Sequence, residues 1–276
     1  MIRRAIPILL GIAWAGIAQA EVPPELVELL ASPEVPAKAR TELEAGGAPV
    51  WVIERDTGDE QISVVGVVKI SGSPQRLAED FFRRDSLFEA DLLKASGTFS
   101  DPAVLGDVAK YHLPEGDLEV LADCEIHDCK FKLGARALEE LGAIDWDSPD
   151  ARRNVDALVR RRIVEFVVAY QKDGRAAFGT YLDKPDARSL PEATGMLLDQ
   201  MKVGPLVETV RTHLRGYPKT RLAGARDRLH WNVRDQGYRP ITSIVHTVAF
   251  DPAAQGSRQA SPSGGPVETG RLDRRS

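Results

Sequence analysis

The chain lacks every short motif that would announce a chemistry. There is no H-E-x-x-H, no G-x-S-x-G, no S-x-x-K, no Walker-type phosphate loop, no G-x-G-x-x-G and no C-x-x-C-H. Zincin, nucleophile-elbow, penicillin-binding, P-loop, dinucleotide and haem-attachment readings therefore have no local support. Enzymes can assemble a site from distant elements, so this argues against catalysis without closing it. An excess of positive charge is also missing. Lys and Arg number 36 against 41 Asp and Glu, a net charge of −5, whereas nucleic acids and anionic membranes want a basic face. No internal repeat is visible. Beyond the first twenty residues no apolar run approaches the ~20 needed to span a bilayer, so stable membrane insertion is not expected.

The N-terminus does carry a pattern. Met1-Ile2-Arg3-Arg4 is followed by an apolar run from Ala5 to Ile17, then Ala18-Gln19-Ala20 and the acidic Glu21. A positive start, a short apolar centre and small residues at the cleavage subsites predict a Sec-type signal peptide cut after Ala20. The arginine pair is a weak twin-arginine match, and no cofactor motif calls for folded export. No Cys follows the cut, which argues against a lipoprotein. Losing Arg3 and Arg4 leaves 34 basic residues against 41 acidic ones, a mature net charge of −7. Arginine outnumbers lysine 26 to 10 and alanine is abundant, which suggests a GC-rich bacterial genome and hence the periplasm. Residues 252–276 are rich in Ser, Gly, Pro and Arg, too polar to offset ordering entropy, and read as a disordered tail. Residues 22–251 are then expected to form a single domain.

Within that domain a helical patch at Glu25–Leu30 precedes a Pro33/Pro36 break and a second helix ending at Gly46-Gly47. Val50–Arg55 and Gln61–Ile70 read as a hairpin around Thr57-Gly58-Asp59. Ser73-Pro74 opens another helix, with Leu77 and Phe81 at i,i+4. A strand through Gly97-Thr98-Phe99 and a short helix at Glu115–Ala122 follow. The strongest helix runs from Pro149 to Lys172, with Ser148 as its cap, Asp173-Gly174 as its end and an apolar stripe of Val155, Leu158, Val159, Ile163, Phe166 and Tyr170. Ser189 and Glu192 form a capping box for a helix reaching about Lys202, and Pro205–Leu214 also reads as helical. Arg228–Arg234 and Tyr238–Phe250 form a second hairpin. Strands near both ends and helices between them predict an α+β fold, with a helix-rich middle packed on a small antiparallel sheet built from the N-terminal and C-terminal hairpins.

Cys124-Glu-Ile-His127-Asp-Cys129 holds the only cysteines. In an oxidising compartment they most simply form a disulfide, and the segment should be a loop, because positions i and i+5 of a helix diverge. A redox pair, or a metal site of Cys124, His127 and Cys129, is the competing reading; the first lacks the C-x-x-C spacing and the second a fourth ligand. Arg162 falls at the edge of the long helix's stripe, where its head either snorkels to water or pairs with an acid, or binds a ligand carboxylate or phosphate in a forked geometry. His246 shares a face with Ile244, Val248 and Phe250, and is either a hydrogen-bonded core residue or a functional one. His230 lies in the partner strand. A ligand-binding group of Arg162, His230 and His246 is the candidate site. Asp145 and Asp147 are explained by the positive start of the helix. No cofactor and no metal are expected.

Gly97-Thr-Phe-Ser-Asp-Pro102, Cys124-x4-Cys129 with Lys130-Phe-Lys-Leu133, Ile144-Asp-Trp146, and Leu229-His-Trp231 through Gly237-Tyr-Arg-Pro240 to His246 resemble a group of exported proteobacterial-type proteins with no assigned function. The resemblance covers most of residues 40–250. It implies export and a single domain, and it lends no activity.

The expectation is a non-catalytic periplasmic binding or envelope-accessory protein, its partner a small amphiphile or an envelope protein. The alternatives are a hydrolase using a His/carboxylate pair such as His246 with a nearby acid, and a thiol or metal protein centred on Cys124 and Cys129.

Overall fold

The computed structural model describes residues 27, 30–33, 35–53, 63–68, 70, 73–83, 92–200, 204–235, 237 and 239–250. The expected signal, the Thr57-Gly58-Asp59 turn, most of Glu25–Leu30 and the expected tail lie outside them.

The fold is α+β, with helices in the middle against a small antiparallel sheet. The first helix, α1 (Ala37–Glu44), follows Pro36 and ends before Gly46, whose φ of 84° suits glycine. It packs on a hairpin of β1 (Val50–Ile53) and β2 (Ser63–Gly66), with Val35, Ala39, Trp51 and Val67 buried together. α2 (Pro74–Arg83) opens as its sequence predicts, with Ser73 Oγ accepting the Arg76 N–H.

The main sheet has the order β3-β6-β7. Its strands are β3 (Leu93–Thr98), β6 (Arg226–Asp235) and β7 (Pro240–Ala249), all antiparallel. This corrects the expected membership. Among the described residues β1 and β2 pair only with each other, and the third strand comes from the middle of the chain. The reason is a division of apolar faces. The first hairpin satisfies Trp51 and Val67 against α1, whereas β3 offers Gly97, over which the Trp231 indole lies. A Cβ at Gly97 would stand 2.5 Å from Trp231 Nε1, so only glycine fits.

α3 (Asp117–Ala122), α4 (Ala135–Gly142) and α5 (Ala151–Asp173) form the helical body. The stripe of α5 divides between two cores. Val155 and Leu158 join Leu113, Leu121, Leu138 and Leu141, while Val167 and Tyr170 join Phe99, Tyr111, Leu229, Trp231 and Val233 beneath the sheet. Asp150, not Ser148, directly precedes the helix; Ser148 makes the turn before it, its Oγ accepting the Asp150 N–H and its carbonyl the Ala151 N–H. After α5 come the short pair β4 (Thr180–Tyr181) and β5 (Arg188–Ser189), then α6 (Leu190–Gln200) and α7 (Gly204–Gly216). Ser189 Oγ accepts the Glu192 N–H at 3.4 Å, as the capping box predicts.

Cys124 and Cys129 are joined in a disulfide, their Cα atoms 4.4 Å apart, across a turn whose left-handed residue is His127. Both cysteines are buried in the α3–α5 core. With both sulfurs in that bond neither offers a thiolate, which removes the metal reading of this segment. His127 instead ties the turn to the next loop through its Nδ1 and the Lys184 carbonyl, 3.1 Å apart. Closing so short a loop is worth about 2 kcal/mol. Reduction, or paired Cys124→Ser and Cys129→Ser substitution, is therefore expected to lower Tm by about 4–8 °C in a domain of this size, read by calorimetry with and without reductant.

Candidate acid–base site

The site forms where four elements end. Period two along β6 turns Asp227, Leu229, Trp231 and Val233 to the helical core and Arg228, His230, Asn232 and Arg234 to the other face. In β7, His246 stands opposite Leu229, so it lies diagonal to Asp227 on the core face. The last turn of α5 supplies Tyr170, the last turn of α7 supplies His213, and the loop after α7 supplies Tyr217.

Asp227 Oδ1 is 2.7 Å from Nε2 of His213 and 2.7 Å from Nε2 of His246. His246 Nδ1 is 2.8 Å from the Tyr170 hydroxyl. Tyr217 packs edge-on to His246, with centroids 4.6 Å apart, and stacks on Tyr170 at 5.1 Å. His213 is 1% exposed, and the Asp227 side chain keeps 25% of its surface. The network thus runs from a closed interior toward solvent.

Proton positions follow from the partners. The Leu222 N–H donates to His213 Nδ1 at 3.1 Å, so that nitrogen carries the lone pair and Nε2–H donates to Asp227. With the carboxylate ionised, His246 Nε2–H donates to the same oxygen and Nδ1 accepts from Tyr170. Burial alone would raise the Asp227 carboxyl, but the hydrogen bonds and charge of His246 and His213 outweigh it and hold the group below its ordinary 3.8. Burial pushes the Tyr170 phenol well up, and neighbouring Tyr217 and Asp227 add to the effect. Tyr217 is raised by burial and then by Asp227 and Asp101. Both phenols stay protonated at neutral pH.

Two histidines and an aspartate also suggest a metal, and their ligand atoms all lie within 4.8 Å of one another. Two features oppose it. A metal-bound His donates its other N–H to an acceptor, but His213 Nδ1 faces a donor. The 2.7 Å nitrogen–oxygen spacings are also shorter than the ~3.3 Å between ligands of a tetrahedral shell with ~2.05 Å bonds. The spacings and donor–acceptor pattern are those of hydrogen bonds rather than of a metal's ligand shell.

The structure does not bring the three sequence candidates together. His246 is in the network. His230, one residue out of phase with Leu229, faces the opposite side of the sheet. Arg162 pairs with Glu140 and Glu165, eight residues before Tyr170, or about 12 Å along α5. Asp227, His213, Tyr170 and Tyr217 were missed. The available signal was Asp227 itself, a carboxylate in phase with Leu229, Trp231 and Val233.

No family model, curated protein or solved structure matches the chain. Function has to be read from the side chains themselves.

Proposed function

We propose that this is an exported hydrolase-type protein whose working centre is the Asp227–His246–Tyr170 relay. The order carboxylate, imidazole, hydroxyl supports the reading. It lets His246 take the Tyr170 proton through Nδ1, with Asp227 holding the imidazolium that forms and His213 anchoring Asp227 from behind. Like the hydroxyl of a serine triad, the phenol is not ionised at rest and gives up its proton only in step with reaction. The compartment proposed is the periplasm, reached through a signal cleaved after Ala20. A disulfide, and the lack among the described residues of any helix long and apolar enough to cross a membrane, are compatible with it.

Screening the mature protein against ester, phosphate-ester and glycoside substrates should find one that is turned over. His246→Ala should lower that rate at least 100-fold, and Tyr170→Phe should do so with the fold intact by circular dichroism. No turnover of any class, or turnover that survives His246→Ala, sinks the reading.

One observation favours the non-catalytic alternative, a binder of a small amphiphile or an envelope protein. Every ring nitrogen of His213 and His246 already has a partner, as in a structural polar knot. Native mass spectrometry of protein taken from the periplasm, showing a retained lipid or partner, would favour it.

A further inference from the structure

Among the described residues four arginines bury an Nε–H that has no acceptor: Arg40, Arg162, Arg175 and Arg211. In three of them the rest of the guanidinium is anchored. Arg162 pairs with Glu140 and Glu165, Arg211 pairs with Glu208, and Arg40 donates to the Ser32 and Val35 carbonyls at 3.0 and 3.2 Å. Arg175 is different. Its hydrogen bond is a long one, 3.4 Å from Nη1 to the Pro191 carbonyl, and no carboxylate among the described residues pairs with it. A half-buried guanidinium with an idle N–H is costly to keep and calls for a ligand.

The elements of the site hold this arginine in place. Arg175 follows Gly174 in the turn after α5, five residues beyond Tyr170. Its carbonyl accepts the N–H of Phe178, which stacks on the Tyr170 ring at 5.3 Å. Gly174 itself abuts the Tyr217 carbonyl. Nη1 lies against the first turns of α6, where a Cβ at Gly195 would stand 3.1 Å from it. The positive end of a helix is an unfavourable place for a cation, and Glu192 in that turn makes no ion pair with it. Burial raises the Tyr170 phenol, with Tyr217 and Asp227 adding to it, and the charge of Arg175 works the other way. The guanidinium is thus within electrostatic reach of the hydroxyl.

We propose that Arg175 is the anion-binding group of the Asp227–His246–Tyr170 site and that it takes the phosphoryl oxygens of a phosphate ester, a reading that rests on the hydrolase proposal. Nε and an Nη of a planar guanidinium form a fork that matches two oxygens of a phosphoryl group. Of the ester, phosphate-ester and glycoside classes, only a phosphate ester carries formal charge on the group attacked, so only there does the reacting group itself give Arg175 a partner. The other charges near the phenols oppose each other: Asp101 and Arg221 act on Tyr217 with opposite signs. A carboxylate elsewhere on a substrate shares the forked chemistry, and acetate serves as its probe.

Inorganic phosphate titrated into the signal-processed chain should move the His246 ring signals and one arginine Nε–H resonance in nitrogen-edited NMR, with acetate binding more weakly. Arg175→Gln should weaken phosphate binding about 10- to 100-fold. Arg153→Gln, which removes an exposed ion pair with Asp150, should leave it unchanged. If Arg175→Gln does not fold, Arg175→Lys, which keeps the charge and loses the fork, should weaken binding by a smaller factor, and the Nε–H shift of the unmodified chain is the direct test. Phosphate bound through Arg175 while no ester class is turned over supports the anion site and sinks only the relay. Turnover of a neutral ester or glycoside that phosphate does not inhibit sinks the anion site and leaves the relay. Absent phosphate binding, acetate bound as tightly as phosphate, or Arg175→Gln binding phosphate as the unmodified chain does overturns the proposal.

Discussion

Gly174→Ala is expected to destabilise the protein by at least about 3 kcal/mol, the largest effect of a single added methyl group among the described glycines. Gly174 ends α5 with φ 60° and ψ −141°, a region open to glycine and closed to L side chains. A Cβ there would lie 1.9 Å from the Tyr217 carbonyl oxygen. Rotamer changes cannot relieve a clash with backbone, so the end of α5 and the loop after α7 must separate. That movement reaches the site, because Tyr217 stacks on Tyr170 and packs against His246. Urea unfolding should show the loss as a lower midpoint at constant slope. Gly179→Ala is the control. It meets nothing within 4 Å and should change stability by less than about 1 kcal/mol.

Asp227→Ala should cost about 2–4 kcal/mol near neutral pH, since it leaves the buried His213 N–H without an acceptor and His246 without its anchor. Asp227→Asn should cost roughly half as much, because an amide oxygen can still accept both bonds but carries no charge. The pH dependence has a definite sign. A carboxyl depressed by folding contributes stability that is fully present above its ordinary 3.8 and is lost as pH falls through its lower folded value. The stability gap between the unaltered protein and Asp227→Ala should therefore be constant above about pH 5 and narrow below pH 4. A gap unchanged at pH 3 would show that the carboxylate charge is not what holds the two histidines.

Much of the fold was legible because its signals are local. Ser73-Pro74 and Ser189 with Glu192 are complete within four residues, Gly174 ends its helix by its own conformation, and the stripe on α5 repeats for about four turns. Sheet membership was not legible. Whether β3 or the first hairpin lies beside β6 depends on a glycine at 97 meeting an indole at 231, a contact that leaves no pattern in either segment. The site was half legible for a similar reason. His246 was visible as a polar residue on an apolar strand face, and the alternative that sought a carboxylate near it named the residue type that stands there, Asp227, without naming the residue. Asp227 was hidden by the charged run Arg226-Asp227-Arg228, which looks solvated until the strand's alternation is applied one position earlier than the hairpin was expected to begin. Arg162 and His230 were grouped with His246 by type; strand phase and helix rise keep them apart.

The β3–β6 pairing joins Leu93–Thr98 to residues 230–234, so the central strand of the sheet is made well over a hundred residues after β3. A polypeptide delivered N-terminus first holds β3 without its neighbour until residues 230–234 have emerged. Tyr170 waits likewise for His213, Asp227 and His246. Contacts so distant in sequence form slowly, and before they form the α5 face that ends in Tyr170 has no sheet to cover it. Closure of the sheet is thereby deferred until β6 and β7 have emerged, and the hydrogen-bonded cluster of Tyr170, His213, Asp227 and His246 cannot form before then.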